Sequence, residues 1–391
     1  MSTDLPSALE ELRTNPQDPS AWKSMGLMII AQGTPDQLSL FEHRQKLAGD
    51  AVPMLFQALF NDEFIQNPPL RQRLIQFADH ATWDSPLGVV VRFFAACARL
   101  YESDGDGPEN FREVGDAIAR NLQHFAAVPH LVRAPQFSRL ITSHGETRML
   151  WSDWGALPPQ EIIWQDELVP APGAEPLIFA ACDGGYLDRF GARFLQVVTG
   201  LGPVHIHVVN PRPGQLTEFQ AKAGSAVFLS QETVSDNRRN SQYYACARFF
   251  AANAMMQRYR RDVLMLDIDL EGLANLDVIF ERTSKADIAY FGMPTLMPWL
   301  RHHAAFIHLK CRLDVSTFLE RFANLLSHQL PDSVWYVDQL CLASVVAAYS
   351  DIRDGLVIDP LEQADGFPFA HFVTPAGDDA EKEKLRRDVS V

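Results

Sequence analysis

Residues 263–269 read Val-Leu-Met-Leu-Asp-Ile-Asp, and the rest of the chain is organised around them. Four consecutive apolar residues are typical of a buried strand, and this strand ends in two acids separated by one residue. Residues two apart on an extended backbone point to the same face, so Asp267 and Asp269 can present their carboxylates together. Two neighbouring carboxylates repel each other unless a cation lies between them. The stretch therefore predicts a site for a hard divalent cation, Mg²⁺ or Mn²⁺, shared with a phosphate-bearing substrate, unless the acids only open a loop.

The composition is that of an ordinary globular protein. The chain has 391 residues, of which 47% are hydrophobic and 21% charged, so it is long enough for two domains with separate cores. The formal net charge of −15 argues against binding of nucleic acid and against adhesion to an anionic membrane surface. The start resembles no signal peptide, and no apolar run reaches transmembrane length. With five scattered cysteines that read as reduced core thiols, the sequence predicts a cytoplasmic protein without a transmembrane segment.

Residues 1–125 are expected to form an all-α domain of consecutive helices. Asp18-Pro19, followed by Trp22 and Met25-Gly26, resembles one tetratricopeptide helix pair, but no second unit follows at a fixed period. Three or more units are usually needed for a stable solenoid, so the array would be degenerate. This tetratricopeptide-like domain could bind a protein partner or mediate self-association, or it could only pack against the next domain.

Residues 176–391 are expected to form an α/β domain, joined to the helices by an ordered, proline-rich connector over 126–175. Alternating strands and helices are the signature of a mainly parallel sheet covered by helices. Around the central strand, further strands are predicted at 177–182, 204–209, 226–230, 288–291, 304–309 and 356–358. His205 and His207 alternate with apolar residues on the second of these strands and are expected to be packed or edge side chains. The predicted fold class is therefore α/β, preceded by an all-α domain.

Five polar features follow one another along residues 176–390. They are Phe-Ala-Ala-Cys-Asp at 179–183 with Tyr186, Tyr-Ala-x-Ala-Arg at 244–248, Leu-Asp-Ile-Asp at 266–269, Asp338-Gln339, and His371-Phe372. Taken in this order, they resemble the motifs of glycosyltransferases of the GT-A fold, most nearly the family-8-like ones that use nucleotide-sugars. What the resemblance implies for individual residues is analogy, and each assignment has its own physical check.

The resemblance implies that the end of the first strand binds the nucleotide of a UDP-sugar. Ala181, Asp183 and Tyr186 belong to this set, with Asp183 accepting a hydrogen bond from uracil and Tyr186 stacking on its face. The pair Gly184-Gly185 departs from the more polar family pattern and can also be interpreted as a tight turn. Arg248 would reach the diphosphate or the sugar of the donor. Its alternative role is an ion pair that ties its helix to the sheet.

The resemblance further implies that Asp267 and Asp269 bind the metal, with His371 as an additional ligand unless it is a plain surface histidine. The metal would stabilise negative charge on the departing diphosphate. Asp338 and Gln339 would be catalytic residues near the anomeric carbon, although an acid at the start of a helix also favours the helix dipole. The implied reaction transfers a hexose, with retention, to a hydroxyl of a glycan, lipid or protein acceptor.

Two other interpretations stay open. An apolar strand ending in Asp-x-Asp also occurs in haloacid-dehalogenase-like phosphatases, in which the first acid, here Asp267, would be the nucleophile. In those enzymes the motif opens the domain, whereas three strand-helix units precede it here. The third interpretation is a non-enzymatic adaptor with a degenerate transferase domain, against which the presence of both acids and of Asp338-Gln339 argues.

Overall fold

The computed structural model forms two compact units, Met1–His144 with Pro294–Arg301 and Gly145–Met293 with His302–Val391. The residues that it describes are 5–15, 18–33, 51–60, 67–80, 86–102, 108–126, 128–142, 161–166, 173, 175–224, 227–235, 241–270, 272–273, 276–292, 295–330, 336–352 and 355–361. Among the helices in these ranges, none combines the length and the apolar character needed to cross a membrane.

The first unit is helical. Its described helices are α1 (Leu5–Thr14), α2 (Pro19–Gln32), α3 (Ala51–Leu59), α4 (Pro68–Asp79), α5 (Pro86–Glu102), α6 (Pro108–Arg120), α7 (Leu122–Phe125) and α8 (Pro129–Thr142). Helix α8 therefore lies in the stretch expected to be a connector. It starts with Pro129, where a missing N–H costs nothing, and it continues through Pro135. A Cβ on Gly115 of α6 would lie 2.6 Å from the Cβ of Ser138, so α6 and α8 pack closely and keep α8 in this unit.

The second unit is built on an eight-stranded sheet. Its strands are β1 (Ile163–Trp164), β2 (Leu177–Asp183), β3 (Val204–Val209), β4 (Val227–Glu232), β5 (Val263–Leu266), β6 (Ile288–Gly292), β7 (His302–Leu309) and β8 (Ile358–Pro360), in the order β1-β4-β3-β2-β5-β7-β6-β8. Strands β2, β3, β4 and β5 are parallel, whereas β7 is antiparallel to both of its neighbours, β5 and β6. The expected α/β fold with a mainly parallel central sheet is confirmed.

Helices alternate with these strands along the chain. They are α9 (Gly184–Val198), α10 (Gln215–Ala223), α11 (Ser241–Tyr259), α12 (Leu276–Thr283), α13 (Leu313–Gln329) and α14 (Val337–Ile352). Because parallel strands end at the same edge of a sheet, the chain brings together Asp183 at the end of β2, Glu232 at the end of β4 and Asp267 directly after β5. Ligands of open α/β sheets bind beyond this carboxyl edge.

The connection between β6 and β7 contributes to the core of the helical unit. Trp299 lies in this segment, and its ring centroid is 6.0 Å from that of Phe93, 6.4 Å from that of Phe111 and 5.1 Å from that of Phe137. The three phenylalanines come from α5, α6 and α8, and all four rings are buried. The helical unit therefore takes one of its central aromatic side chains from a distant part of the chain.

Candidate functional site

A buried arginine connects the residues at the end of β5. Arg248 of α11 has 6% of its side chain exposed, and its Nη1 donates a hydrogen bond to Oδ1 of Asp267. Its Nη2 donates to the carbonyl of Ala304 at 3.1 Å and to Oδ2 of Asp338 at 3.5 Å. One guanidinium thus joins α11, the end of β5, β7 and the start of α14. Three of the residues singled out from the sequence, Arg248, Asp267 and Asp338, meet here.

The charges in this group do not cancel. Burial acts to lower the pKa of Arg248, but Asp267 and Asp338 outweigh burial, and the pKa is raised. Burial raises the pKa of Asp338, with Arg248 opposing the shift and Asp267 adding repulsion. When both acids are ionised, one guanidinium faces two carboxylates. A further cation beside Asp267 would therefore be stabilised electrostatically.

The start of α14 combines an acid, a residue with positive φ and an amide oxygen that has no hydrogen-bond partner among the described residues. Oδ1 of Asp338 accepts a hydrogen bond from the backbone N–H of Gln339 at 2.9 Å, as expected of an acid in the first turn. The side chain of Gln339 is buried, and within the described residues its Oε1 has no hydrogen-bond partner. Tyr336, directly before the helix, has φ of 76°, which is costly for a residue with a side chain. Buried unpaired groups and backbone strain are features that accumulate at binding sites.

The carboxylates after β5 fit a hard divalent cation. Asp267 uses Oδ1 for Arg248, and 26% of its side chain is exposed. Asp269 is half-buried two residues later. Within the described ranges no three His, Cys, Asp or Glu side chains are close enough to hold a metal by themselves. Mg²⁺ commonly uses one or two carboxylates and completes its shell with water and substrate phosphates, so two aspartates suit such an ion. His371 lies outside the described residues.

His303 is a member of this group that the sequence did not indicate. The register of β5 and β7 continues beyond the strand end, where the N–H of Asp267 donates to the carbonyl of Ala305 at 3.1 Å. His303 lies two residues from Ala305 on β7, and its Nδ1 accepts a hydrogen bond from the N–H of Ala305 at 3.4 Å. Burial lowers its pKa, and the nearby Asp267 opposes this shift. A mainly neutral imidazole therefore stands beside the carboxylates at neutral pH.

The predicted nucleotide-binding residues lie at the end of β2. Asp183 adopts an extended conformation and caps α9, accepting a hydrogen bond from the N–H of Tyr186 at 2.9 Å through Oδ1. The ring of Tyr186 lies 4.9 Å from that of Phe190, one turn further along α9. Ala181 is buried within β2. Capping explains why Asp183 is at this position and leaves its second oxygen for another donor.

Gly184-Gly185 begin helix α9 and do not form the tight turn considered from the sequence. A Cβ on Gly184 would lie 2.5 Å from Oε1 of Gln215, whose Nε2 donates to the carbonyl of Gly184 at 2.6 Å. Only glycine lets the buried Gln215 approach so closely. The contact ties the start of α10 to the end of β2, at the edge where a nucleotide is expected.

The chain matches no protein-family model, and no curated protein sequence matches it. Similar solved structures include the glycosyltransferase GlyE of Streptococcus pneumoniae TIGR4, with 15% identity, a TM-score of 0.33 and coverage of 48% of this chain and 45% of GlyE. The apo form of GlyE gives 16% identity, a TM-score of 0.31 and the same coverage of 48% and 45%. Mouse xyloside xylosyltransferase 1 in its apo form gives 14% identity, a TM-score of 0.31 and coverage of 48% of this chain and 85% of that chain. This chain spans less than half the length of GlyE, and likeness at this level does not assign a function.

Proposed function

We propose that the α/β unit is a metal-dependent glycosyltransferase of the GT-A type, family-8-like, that uses a UDP-sugar. The observation that carries the proposal is the meeting of Arg248 with Asp267 and Asp338. Arg248 and Asp338 are 90 positions apart in the chain, and resemblance to the family assigns all three to one donor site. Their position at the carboxyl edge of the parallel strands is where an α/β sheet binds its ligand.

The nucleotide would bind at the end of β2. Asp183 and Tyr186 would recognise and stack on uracil, with the backbone of Ala181 forming the floor of the base site. Arg248 is held near the end of β5 by partners on three elements, which supports a role of its charge at the donor diphosphate or sugar. A preorganised cation of this kind stabilises developing charge without reorganising solvent.

Mn²⁺ or Mg²⁺, held by Asp267 and Asp269 and in the family pattern also by His371, would offset the negative charge of the departing diphosphate. Asp338 and Gln339 would contact the transferred hexose. The unpaired Oε1 of Gln339 can accept a hydrogen bond from a sugar hydroxyl, which supports this role. The acceptor would be a hydroxyl of a glycan, lipid or protein, and transfer would proceed with retention.

The helical unit would serve the enzyme as a binding module. A protein partner or a second copy of the chain is the proposed occupant, in keeping with its resemblance to one tetratricopeptide helix pair. A cytoplasmic location is part of the same proposal and rests on the cysteine pattern of the sequence.

Calorimetric titration of UDP and of GDP, with and without Mn²⁺, tests the donor site. We expect UDP binding that requires the metal in the unmodified protein and is lost in Asp269→Ala. Asp314→Ala is the matched control, because it removes an acid with a 56% exposed side chain from α13 of the same unit and should leave binding unchanged. If neither nucleotide binds with metal present, the transferase proposal fails. The next assay is then hydrolysis of phosphatase substrates, with Asp267 as the nucleophile.

A further inference from the structure

Buried polar side chains form a chain between helix α11 and strands β3 and β4. The hydroxyl of Tyr259 lies 2.7 Å from Nδ1 of His205, whose Nε2 lies 2.8 Å from Oγ of Ser230. The same Oγ lies 2.8 Å from Nδ1 of His207. The two histidines and the serine have no exposed surface at all. Four polar side chains are thus connected inside the fold, away from water.

The chain ends at a buried carboxylate. Nε2 of His207 lies 3.4 Å from Oε1 of Glu232, close enough for electrostatic attraction but without hydrogen-bond geometry. Glu232 is the last residue of β4 and is 3% exposed. Tyr243, near the start of α11, donates its hydroxyl towards both carboxylate oxygens at 3.2 Å. We call these six residues the buried polar chain: Tyr259, His205, Ser230, His207, Glu232 and Tyr243.

Counting protons gives the buried polar chain a direction. The Ser230 hydroxyl has one proton, so it donates to one histidine and must accept from the other. If Tyr259 donates to His205, then His205 donates to Ser230 and Ser230 donates to His207. The remaining N–H of His207, on Nε2, then lies on the side nearest to Glu232. This assignment orients the donors of the buried polar chain in one direction, towards Glu232, and hydrogen bonds that share a direction strengthen one another.

The residue types also occur in hydrolytic triads, but the geometry here excludes that use. The Ser230 oxygen is shared between two imidazoles and has no exposed surface, so it cannot reach the carbonyl of a substrate. The buried polar chain must therefore act through the elements that it connects.

Both tyrosines of the buried polar chain, Tyr243 and Tyr259, belong to helix α11. Tyr243 precedes Arg248 and Tyr259 follows it by eleven residues, which is about three helical turns and places Tyr259 and Arg248 on one face. The buried side chains of the helix include the small Ala247, Ala251 and Ala252 and the larger Phe249 and Met255. Hydrogen bonds between buried groups are directional, so they fix the rotation of the helix in addition to this apolar packing.

We propose that the buried polar chain is a positioning device, which fixes the rotation of α11 and thereby places the guanidinium of Arg248 between Asp267 and Asp338. The effect on substrate rests on the proposed function, because it is there that Arg248 contacts the donor. A rotation of α11 would separate the Tyr259 hydroxyl from His205 and the Tyr243 hydroxyl from Glu232, so these hydrogen bonds favour one orientation of the helix.

Ser230→Ala removes the hydroxyl that holds the ring of His205, which is the partner of Tyr259 on α11, and thereby tests the proposal. Its control is Thr283→Val, which removes another buried hydroxyl, bonded to the carbonyl of Phe280 at 3.2 Å, from α12. We expect Ser230→Ala to weaken Mn²⁺-dependent UDP binding about tenfold and the control to leave it unchanged, even if both variants melt at lower temperature. Equal UDP affinity of both variants and the unmodified protein would overturn the proposal.

A double-mutant cycle shows whether the effect passes through Arg248. In an Arg248→Ala background the residual UDP binding should be the same with and without Ser230→Ala, because the group being positioned is absent. Independent losses that add would mean that the buried polar chain acts elsewhere. If Ser230→Ala does not fold, Tyr259→Phe replaces it, since this variant removes a hydroxyl and keeps the ring.

Hydrogen exchange separates this proposal from the donor-site proposal. Backbone amides of residues 244–252 should exchange faster in Ser230→Ala than in Thr283→Val, whether or not a nucleotide binds. If the unmodified protein binds no UDP, the function proposed above fails while exchange still reports on α11. Unchanged exchange in this part of α11 would overturn the positioning role in either case.

Discussion

Replacing Trp299 by alanine should destabilise the helical unit, although the residue lies between two strands of the α/β unit in sequence. The indole is fully buried, and three phenylalanine rings lie 5.1–6.4 Å from it, so its removal leaves a cavity that α5, α6 and α8 cannot close easily. Losses for large aromatic residues in cores are about 3–5 kcal/mol, and with three aromatic neighbours we expect about 4 kcal/mol of unfolding free energy. Urea denaturation followed by circular dichroism, with hydrogen exchange to locate the effect, measures it.

Trp299→Phe is the matched variant. Within the described residues the indole Nε1 has no hydrogen-bond partner, so phenylalanine removes a buried unpaired donor and keeps an aromatic ring. We expect this variant to lose less than half as much stability as Trp299→Ala. Leu313→Ala, at a position that is 81% exposed, should have almost no effect. A loss below about 1 kcal/mol for Trp299→Ala, or faster exchange confined to the α/β unit, would refute the assignment of this segment to the helical core.

Three further changes test the site and the sheet. Arg248→Met should cost about 3 kcal/mol in urea denaturation because it leaves the buried Asp338 without its cation, and it should weaken UDP binding in calorimetry by more than about tenfold; unchanged binding would exclude Arg248 from the donor site. His308 is buried, and burial lowers its pKa to about 4 from the ordinary 6.5. As the pH falls, His308 is therefore protonated in the unfolded protein before it is protonated in the folded protein. Stability should therefore be full above pH 6.5 and fall by up to about 3 kcal/mol towards pH 4, a slope that His308→Leu should reduce in denaturation at several pH values. Gly184→Ala should displace Gln215, reduce the free energy of unfolding by about 1–3 kcal/mol and lower the melting temperature by several degrees. An unchanged melting temperature would show that the side chain of Gln215 moves aside without loss of stability.

The strands were predictable because their information is local. The four apolar residues at 263–266 form β5, the apolar run at 177–182 forms β2, and the stretch at 204–209, in which two histidines alternate with apolar residues, forms β3. The ends differ by at most one residue from the sequence prediction. Long apolar runs bounded by polar residues can only be buried in a sheet covered on both sides. For the same reason, the sequence alone predicted that Asp267 directly follows a strand, at the edge of the sheet where ligands bind.

Partners across the sheet were not predictable. His205 and His207 were expected to be packed side chains, and they are fully buried, but the hydroxyl that links them and the nearby carboxylate come from β4. His303 reaches the site because β7 inserts between β5 and β6 in antiparallel orientation. Strand order and register depend on which apolar faces pack against each other, and the hydrophobic periodicity of a single segment does not indicate its partner strand.

The sequence by itself determined that this protein has an α/β fold with two carboxylates after a central strand, since burial and side-chain alternation are properties of a single segment. The tertiary structure decided that Arg248 joins Asp267 to Asp338, and that Trp299 belongs to the core of the helical unit. It also decided that α8 continues through Pro135, because burial against α6 offsets the hydrogen bond that the proline removes. These contacts join residues far apart in the chain, and the free energy that selects them exists only once the elements have packed.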